Sequence, residues 1–336
     1  MKKQKISLVL FISLLFSCSQ SEKTPEPNPI TKNIYVCGYE SNGTTYVAKL
    51  WTNGIATNLT DGTKSANAHS VFVSGTDVYV AGVESNSLGI QVAKIWKNGV
   101  AKDLTDGTKS AYAKSVFVVG NDVYAVGTEN NIAKIWKNGI ASDLTDGTKI
   151  AAAHSVFVSG NDVYVVGKEF STANIAKLWK NGILTNLTDG SRNAFANSVY
   201  VVGSDVYVVG NEYIVNSFGA NRWAAKIWKN GLATTLSDSF VNADGNSVFV
   251  SNNDVYAFGN EVNGRNHSPK VWKNGASSAT LTDGNYHGTG NSVYVEGSDV
   301  YAAGDYNFIA KYWKNGSEFN LTDGTKSASA NSIFVK

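Results

Sequence analysis

The chain has 336 residues, of which 43 % are hydrophobic and 17 % are charged, and only two are cysteines. Its formal charge is +2, and removal of the first 17 residues would leave 26 basic against 27 acidic residues. A chain so close to neutral lacks the basic footprint that nucleic-acid binding requires. Two cysteines also exclude a multi-disulfide scaffold and a four-cysteine zinc site.

The first 17 residues are typical of an export signal. Residues 1–5 are basic, and residues 6–16 form an apolar run that is too short to span a bilayer. The run ends in the tetrad Leu-Phe-Ser-Cys, whose cysteine is Cys18. This tetrad resembles the lipobox of bacterial lipoproteins, which implies that Cys18 is lipidated and becomes the new N-terminus. A plain secretory signal and a buried helix are the alternatives.

A flexible linker is expected between this signal and the folded domain. Residues 19–29 are polar and contain three of the four prolines. Such a segment cannot bury a core, so we interpret it as a tether. The predicted organisation is a signal peptide at residues 1–17, a lipidated cysteine and linker at residues 18–29, and one folded domain at residues 30–336.

One sequence unit recurs seven times after residue 30. It reads AKxWKNG, then LTDGT, then a stretch of small residues, then SVFVxGxDVYVxGxE. The tryptophans that mark the unit are Trp51, Trp96, Trp136, Trp179, Trp228, Trp272 and Trp313. Intervals of 40 to 49 residues without a helical pattern predict propeller blades. Each unit supplies four short strands rich in β-branched and aromatic residues, joined by Asn-Gly and similar turns.

The two ends of the chain are predicted to share one blade. If the strands of a blade are named a to d from SVFV onward, the chain starts with strand b at Ile34 and ends with strand a at Phe334. The predicted starts of the seven a strands are Ser70, Ser115, Ser155, Ser198, Ser247, Ser292 and Ser332. The prediction is an all-β, seven-bladed β-propeller of four-stranded antiparallel blades, closed by the C-terminal strand.

The period and the order of strands resemble those of seven-bladed β-propellers across residues 30–336. The resemblance is one of architecture, because the Gly-His and Trp-Asp signatures of WD repeats and the double glycines of kelch repeats are missing. Together with the lipobox, the near-identical repeats resemble the tandem-repeat propeller lipoproteins of bacterial cell surfaces. This resemblance implies a lipid-anchored protein of the bacterial cell envelope and brings no established activity.

Residues that recur in every blade are first candidates for structural roles. The glutamates that end strand b and the lysines of strand c are predicted to pair within hairpins, with Glu129 opposite Ile132 and diagonal to Lys134. The aspartate of each LTDG, such as Asp61, fits a turn better than a calcium loop. Cys37 is expected to be a buried, inert thiol. No metal site and no cofactor are predicted.

The repeat breaks down in one arc of the rim that carries the b-to-c and d-to-a connections, called the top rim here. Its longest predicted loops are residues 211–225 and 262–269. The candidate ligand-binding residues are Arg192, Tyr213, Phe218, Arg222, Trp223, Arg265, His267, Tyr286 and His287, which include all three arginines. Aromatic faces and forked guanidinium donors suit a sugar or a protein hot spot. Alternatively, long loops simply carry assorted residues.

A second candidate site is the mouth of the central channel. The residue before each strand-a serine is polar, and it is an asparagine in four of the seven blades. The other three blades are consecutive and have His69, Lys114 and His154, which suggests a site for a small anion. The alternative interpretation is that the asparagines only make turns at the strand starts.

A binding role is favoured over catalysis. A glycosidase needs two carboxylates that converge on a cleft, and the sequence places only Asp244 near the channel mouth. None of the hydrolase motifs GxSxG and HExxH occurs, so no catalytic residue is predicted. We expect a monomeric, membrane-anchored surface module that binds a glycan or a surface protein. The alternatives are a carbohydrate-active hydrolase or lyase, and a structural surface protein without a specific ligand.

Overall fold

Every regular element in the described part of the chain is a β-strand. The computed structural model describes residues 32–336, which form 28 strands. Residues 33–336 make one compact unit. No helix in this range is long and apolar enough to cross a lipid bilayer. The predicted signal peptide at residues 1–17, the lipidation site Cys18 and the linker to residue 29 lie outside the described residues.

The strands follow one another along the chain with short connections. The first nine are β1 (Ile34–Ser41), β2 (Tyr46–Thr52), β3 (Ile55–Asn58), β4 (Ala66–Ser74), β5 (Asp77–Ser85), β6 (Gln91–Lys97), β7 (Val100–Asp103), β8 (Ala111–Val119) and β9 (Asp122–Glu129). The next nine are β10 (Ile132–Lys137), β11 (Ile140–Asp143), β12 (Ala151–Ser159), β13 (Asp162–Phe170), β14 (Asn174–Lys180), β15 (Ile183–Asn186), β16 (Ala194–Val202), β17 (Asp205–Val215) and β18 (Asn221–Lys229). The last ten are β19 (Leu232–Thr235), β20 (Ala243–Ser251), β21 (Asp254–Asn263), β22 (Asn266–Lys273), β23 (Ala276–Thr280), β24 (Gly288–Glu296), β25 (Asp299–Tyr306), β26 (Ile309–Lys314), β27 (Ser317–Asn320) and β28 (Ala328–Val335).

These strands form seven four-stranded antiparallel blades. Blade 1 consists of β28, β1, β2 and β3, and blades 2 to 7 each consist of four successive strands from β4 onward. The closing strand β28 pairs with β1 along its length, with Val36 opposite Ile333. Beyond the strands, the Asn33 N–H donates to the Lys336 carbonyl at 2.6 Å, and the Lys336 N–H donates back at 2.9 Å. The predicted closed, seven-bladed propeller is confirmed.

The repeated Lys-Asn-Gly segment forms the tight turn between strands c and d at the bottom rim. Asn98 and Gly99 have φ angles of 51° and 81°, as a type I′ hairpin turn requires. The Asn98 side chain accepts a hydrogen bond from the Val78 N–H and donates one to Asp77, both at 2.8 Å. These bonds tie two hairpins of the blade together, which explains why KNG and DVY recur as a pair.

The inner strands are longer than the sequence predicted. Strand β4 begins at Ala66, four residues before the predicted start, and contains a β-bulge at His69. The other six inner strands contain the same bulge and also begin four residues before their predicted starts. The predicted starts are therefore wrong at Ser70, Ser115, Ser155, Ser198, Ser247, Ser292 and Ser332. Small residues such as Ala66 and Ala68 were mistaken for a connection, but they are buried under the tryptophan of their own blade.

The recurring tryptophans pack between neighbouring blades, as predicted. All seven are at most 1 % exposed. Trp136 lies against Ala111 and Ala113 on the inner strand of its own blade, and against Ala81 and Ala93 of blade 2. The small residues are therefore needed on both sides of the indole, because larger side chains would push the blades apart.

A ring of hydrogen bonds joins the inner strands. In each case a backbone N–H donates to the serine Oγ of the preceding blade, as Val116 does to Ser70 at 3.2 Å. The other six pairs are Val71 to Ser332, Val156 to Ser115, Val199 to Ser155, Val248 to Ser198, Val293 to Ser247 and Ile333 to Ser292, at 3.1 to 3.3 Å. The chain of bonds passes through β28, so the ring closes without a gap.

Removal of residues 331–336 is expected to destabilise the whole domain. The deletion exposes the apolar edge of β1 and the face of Trp51, and the buried side chains lost from β28 correspond to several kcal/mol of unfolding free energy. Thermal unfolding of the shortened chain should show a much lower melting temperature. A chain that lacks only Lys336 is the control, and equal melting temperatures for both shortened chains would contradict closure by β28.

Candidate functional site

The central channel narrows to a girdle of seven aromatic rings near the bottom rim. Its members are Phe72, Phe117, Phe157, Tyr200, Phe249, Tyr294 and Phe334. Neighbouring centroids are 4.7 to 5.0 Å apart, and neighbouring planes differ by 48° to 57°. Neighbouring blades of a seven-bladed ring are related by a rotation of about 51° around the channel axis. The ring planes differ by nearly the same angle, so each plane is parallel to that axis. Opposite centroids lie about 11 Å from each other.

The polar ring predicted at the channel mouth is formed by the bulge residues of the inner strands. Six of the seven bond to the carbonyl of the next blade: His69 Nδ1 lies 2.9 Å from the Ala113 oxygen, and Asn331 donates to the Ala68 oxygen at 2.8 Å. The other four are His154, Asn197, Asn246 and Asn291. The interpretation of the asparagines as turn residues at strand starts is therefore wrong, because they lie within strands and brace neighbouring blades.

The two histidines of this ring are neutral at physiological pH. Burial, assisted by the nearby Lys114 ammonium, lowers the pKa of His69 to about 3. Burial likewise lowers the pKa of His154 to about 4. Their acceptor is a carbonyl oxygen, so Nδ1 carries the proton in both rings. These imidazoles serve as hydrogen-bond donors between blades rather than as cations.

Lys114 is the exception in the ring and is exposed to the channel mouth. Its ammonium lies 5.6 Å from the centre of the Tyr112 ring, and desolvation lowers its pKa. A second ammonium, that of Lys168, lies 4.9 Å from the centre of the Phe195 ring and also has a lowered pKa from desolvation. Among residues 32–336, no carboxylate lies within salt-bridge distance of either lysine.

A cavity of about 370 Å³ opens beside Lys114 at the channel mouth. It is lined by Tyr39, Tyr46, Ser65, Ala66, Asn67, His69, Val83, Ser85, Gln91, Tyr112 and Lys114. Two of the three residues that the sequence singled out at the mouth, His69 and Lys114, thus border one cavity. The third, His154, lies two blades from His69.

The opposite wall of the mouth carries two carboxylates. Asp305 Oδ1 accepts hydrogen bonds from the Thr289 hydroxyl and, at 2.7 Å, from the Ser329 hydroxyl. Asp244 Oδ1 accepts a hydrogen bond from Asn211 at 3.0 Å. Burial raises the pKa of both carboxyl groups. The expectation that only Asp244 lies near the mouth is therefore wrong.

Sequence reasoning missed Asp305 and Lys168, although the repeat contained a signal. Both follow the glycine of the GxE segment in strand b, one residue before the position of the paired glutamates. Side chains alternate along a strand, so this position lies on the opposite face of the blade from the glutamates. There Asp305 contacts Ser329, and Asn211 contacts Asp244, on the inner strand of the next blade. The residues there are Tyr39, Val83, Thr128, Lys168, Asn211, Asn260 and Asp305, which vary between blades in a way that the structural positions do not.

The predicted loop at residues 211–225 is a β-hairpin in the structure. Strands β17 and β18 continue to Val215 and Asn221, and Tyr213 lies opposite Trp223. Their ring centroids are 5.1 Å apart, and Phe195 of the inner strand lies 5.5 Å from Trp223. We call Phe195, Tyr213 and Trp223 the aromatic platform. Extended pairing replaces the expected loop because aromatic and β-branched residues such as Tyr213, Ile214 and Val215 let the strands continue beyond the usual blade length.

The remaining residues of the arc surround this platform or lie on the next two blades. Arg192 lines a surface cavity of about 470 Å³ together with Tyr213. Arg222 lies opposite Ile214 on the hairpin, and its guanidinium donates to the Asn221 carbonyl at 2.9 Å. Phe218 at the hairpin tip is 83 % exposed.

The arc continues on blades 6 and 7 with a different chemistry. Residues 262–269 were predicted as a loop, but they form the end of the β21–β22 hairpin, with Val262 opposite His267. The exposed Arg265 lies in its turn. The His267 and His287 rings are 4.8 Å apart, and burial together with His287 lowers the pKa of His267. Tyr286 is 54 % exposed.

The recurring charged residues have the structural roles that the sequence indicated. Glu129 lies opposite Ile132 and pairs with Lys134 at 3.2 Å, and five other blades contain the same pair. Asp61 Oδ1 accepts hydrogen bonds from the N–H and hydroxyl of Thr63, as expected for a turn. Cys37 is a buried free thiol whose pKa is raised by desolvation. Within residues 32–336, no group of three His, Cys, Asp or Glu residues could hold a metal ion.

Comparison with known proteins identifies the fold and no family. No protein-family model matches the chain, and no curated protein matches its sequence. The β-propeller domain of the Trilobed protease from Pyrococcus furiosus aligns over 88 % of this chain and 95 % of its own, with a TM-score of 0.51 and 12 % identity. A puromycin-hydrolyzing peptidase from Mycobacterium tuberculosis aligns over 85 % of this chain and 53 % of its own, with a TM-score of 0.53 and 10 % identity.

At these identities the likeness shows the propeller fold alone. The Pyrococcus domain is described as having an open velcro topology. In the present chain, β28 completes blade 1 by pairing with β1. The two propellers therefore differ in how the ring is closed, although their overall folds are similar.

Asp305→Asn is expected to stabilise the protein at pH 7. The pKa of Asp305 is raised in the folded state, so folding disfavours its ionised form, and this cost disappears as the pH falls through the folded pKa. The gain in melting temperature should therefore shrink between pH 7 and pH 4. His287 and Tyr39 are the titratable neighbours of this carboxylate.

Asp323→Asn is the matched control for this measurement. Asp323 lies in an exposed turn, where hydrogen bonds from Thr325 lower its pKa. Its ionised form is favoured by folding, so the control variant should lose stability at pH 7. A loss of stability at pH 7 in Asp305→Asn as well would show that burial of the Asp305 charge costs nothing.

Proposed function

We propose that this protein is a lipid-anchored binding module of the bacterial cell envelope, whose top face binds a glycan or a protein. The N-terminal sequence supports export and lipidation at Cys18, and the propeller supplies a rigid scaffold for binding residues. Within this scaffold, the residues that vary between blades are concentrated at the top rim and the channel mouth. A variable surface on a repeated frame is the usual arrangement in binding proteins.

The observation that carries this proposal is the aromatic platform. Trp223 is not one of the seven recurring tryptophans. Its side chain is half-buried, whereas those seven are fully buried. Its hairpin has strands of 11 and 9 residues, which are longer than their counterparts in the other six blades. The cavity lined by Arg192 lies beside Tyr213 and offers guanidinium donors next to aromatic faces. Sugar rings stack on such faces, and their hydroxyls accept from such donors.

Binding is favoured over hydrolysis by the environments of the two channel carboxylates. A glycosidase needs one carboxyl group that is protonated and one that is ionised, which requires different surroundings. Burial raises the pKa of both Asp244 and Asp305, so their surroundings act in the same direction. The directions of the two pKa shifts therefore do not separate an acid from a base or nucleophile.

The attachment point of the linker supports an outward-facing top rim. Strand β1 begins at Ile34, next to the bottom turns of blade 1. A linker of eleven residues, from 19 to 29, reaches at most about 36 Å when extended. If Cys18 is lipidated, this tether holds the bottom rim toward the membrane and presents the platform to the surroundings.

Cys18→Ala is expected to release the protein from membranes. The variant retains the export signal but lacks the thiol that would be acylated, so the soluble fraction should contain most of it after cell fractionation. Cys37→Ala is the control, because that thiol is buried inside the propeller. Quantitative recovery of the Cys18 variant with the membrane fraction would contradict lipid anchoring.

Trp223→Ala is expected to weaken ligand binding without unfolding the protein. Polysaccharides and surface proteins would be titrated against the wild-type domain, and a hot-spot tryptophan should contribute about 2 kcal/mol or more to the affinity of the ligand found. The comparison variant is Trp136→Ala, which should lose about 3 to 5 kcal/mol of folding stability through the cavity it leaves. If every ligand binds Trp223→Ala as tightly as the wild type, the platform is not the binding site.

A further inference from the structure

The mouth of the channel carries opposite charges on opposite walls. Lys168 and Asp305 occupy equivalent positions of strand b in blades 4 and 7. Lys114 and Asp244 lie on the inner strands of blades 3 and 6. In a ring of seven, three blades is the largest possible separation, so each lysine faces a carboxylate across the channel. Among residues 32–336, no salt bridge joins either lysine to either aspartate.

Each of these charged groups has capacity for a ligand. The lysine ammonium groups lie beside aromatic rings and have no carboxylate partner within the described residues. For both aspartates, every hydrogen bond found in residues 32–336 goes to Oδ1, so Oδ2 has none there. Charges held apart on partly desolvated walls attract a molecule that carries both complementary charges.

The cavity beside Lys114 extends along blades 1 to 3 of the mouth. It contains Lys114 on blade 3 and extends to Tyr39 on blade 1. Burial, and then the negative charge of Asp305, raise the pKa of Tyr39. Blade 1 adjoins blade 7, which carries Asp305, so the cavity leads from Lys114 to the blade next to that carboxylate. The aromatic girdle lies deeper in the channel and forms an apolar floor beneath it.

We propose that the channel mouth binds a short peptide with free termini, with its carboxylate at Lys114 and Lys168 and its ammonium group at Asp244 and Asp305. Opposite ring centres of the girdle lie about 11 Å apart, which sets the scale of the channel below the mouth. An extended chain covers about 3.3 to 3.6 Å per residue, so a peptide of two or three residues has a length on this scale. A single amino acid carries both charges on one carbon and reaches only one wall. This site is separate from the aromatic platform.

Trialanine is the probe for this proposal, because its side chains offer nothing beyond a methyl group. Full-length protein in detergent would be titrated calorimetrically with trialanine, N-acetyl-trialanine and trialanine amide. Trialanine should bind, and blocking either terminus should weaken binding at least tenfold. Equal affinity for all three peptides, or no binding of trialanine at 10 mM, would overturn the proposal. Equal affinity for trialanine and its N-acetyl form would indicate an anion site and would also overturn it.

Variants assign each terminus to its wall. Lys114→Gln and Lys168→Gln should weaken trialanine binding and should lose the discrimination between trialanine and its amide. Asp305→Asn should lose the discrimination between trialanine and its N-acetyl form. Lys102→Gln, at an exposed position on the outer strand of blade 2, is the control and should bind like the wild type. Melting temperatures verify folding, and variants that fold yet keep full discrimination at both termini would contradict the assignment.

Discussion

The structure depends on the contact between one inner strand and the next. At each of the seven seams a backbone N–H donates to a serine Oγ of the preceding blade, one residue after a β-bulge. Next to the bulge, a backbone carbonyl of the inner strand lies so close to strand b that only glycine fits there. A Cβ on Gly127, for example, would lie 1.8 Å from the Tyr112 carbonyl oxygen. The repeated serine, the repeated glycine and the small residues beneath each tryptophan are therefore consequences of one local geometry.

Local patterns in the sequence predicted the features that local geometry determines. Strand number, closure and the Glu129–Lys134 pairing follow from counting repeats and from two-residue turns. The bulge at His69 could not be predicted, because one extra residue in a strand leaves no distinct motif when every repeat contains it. The position of Asp305 was missed for the opposite reason: its signal is a departure from the repeat within strand b, whereas the departures used for the prediction lie in the loops of the rims. Alternation along that strand would have identified it.

The same geometry separates scaffold from candidate sites. Positions that face a neighbouring blade are nearly identical in all seven repeats, because each must fit the same seam. Positions that face the channel mouth or extend beyond the top rim are free of that constraint, and there the chain places lysines, carboxylates and the platform around Trp223. The two candidate sites differ in chemistry, since the platform offers aromatic faces and guanidinium groups while the channel mouth offers separated charges of both signs.

Native-state hydrogen exchange of the seven seam amides tests most directly whether the ring is one cooperative unit. These are the N–H groups of Val71, Val116, Val156, Val199, Val248, Val293 and Ile333. The account predicts that all seven exchange only through global unfolding, with the same free energy. Ile333 lies in the closing strand, and the Val71 N–H bonds to that strand. Much faster exchange of these two amides than of Val156 and Val199 would contradict the account.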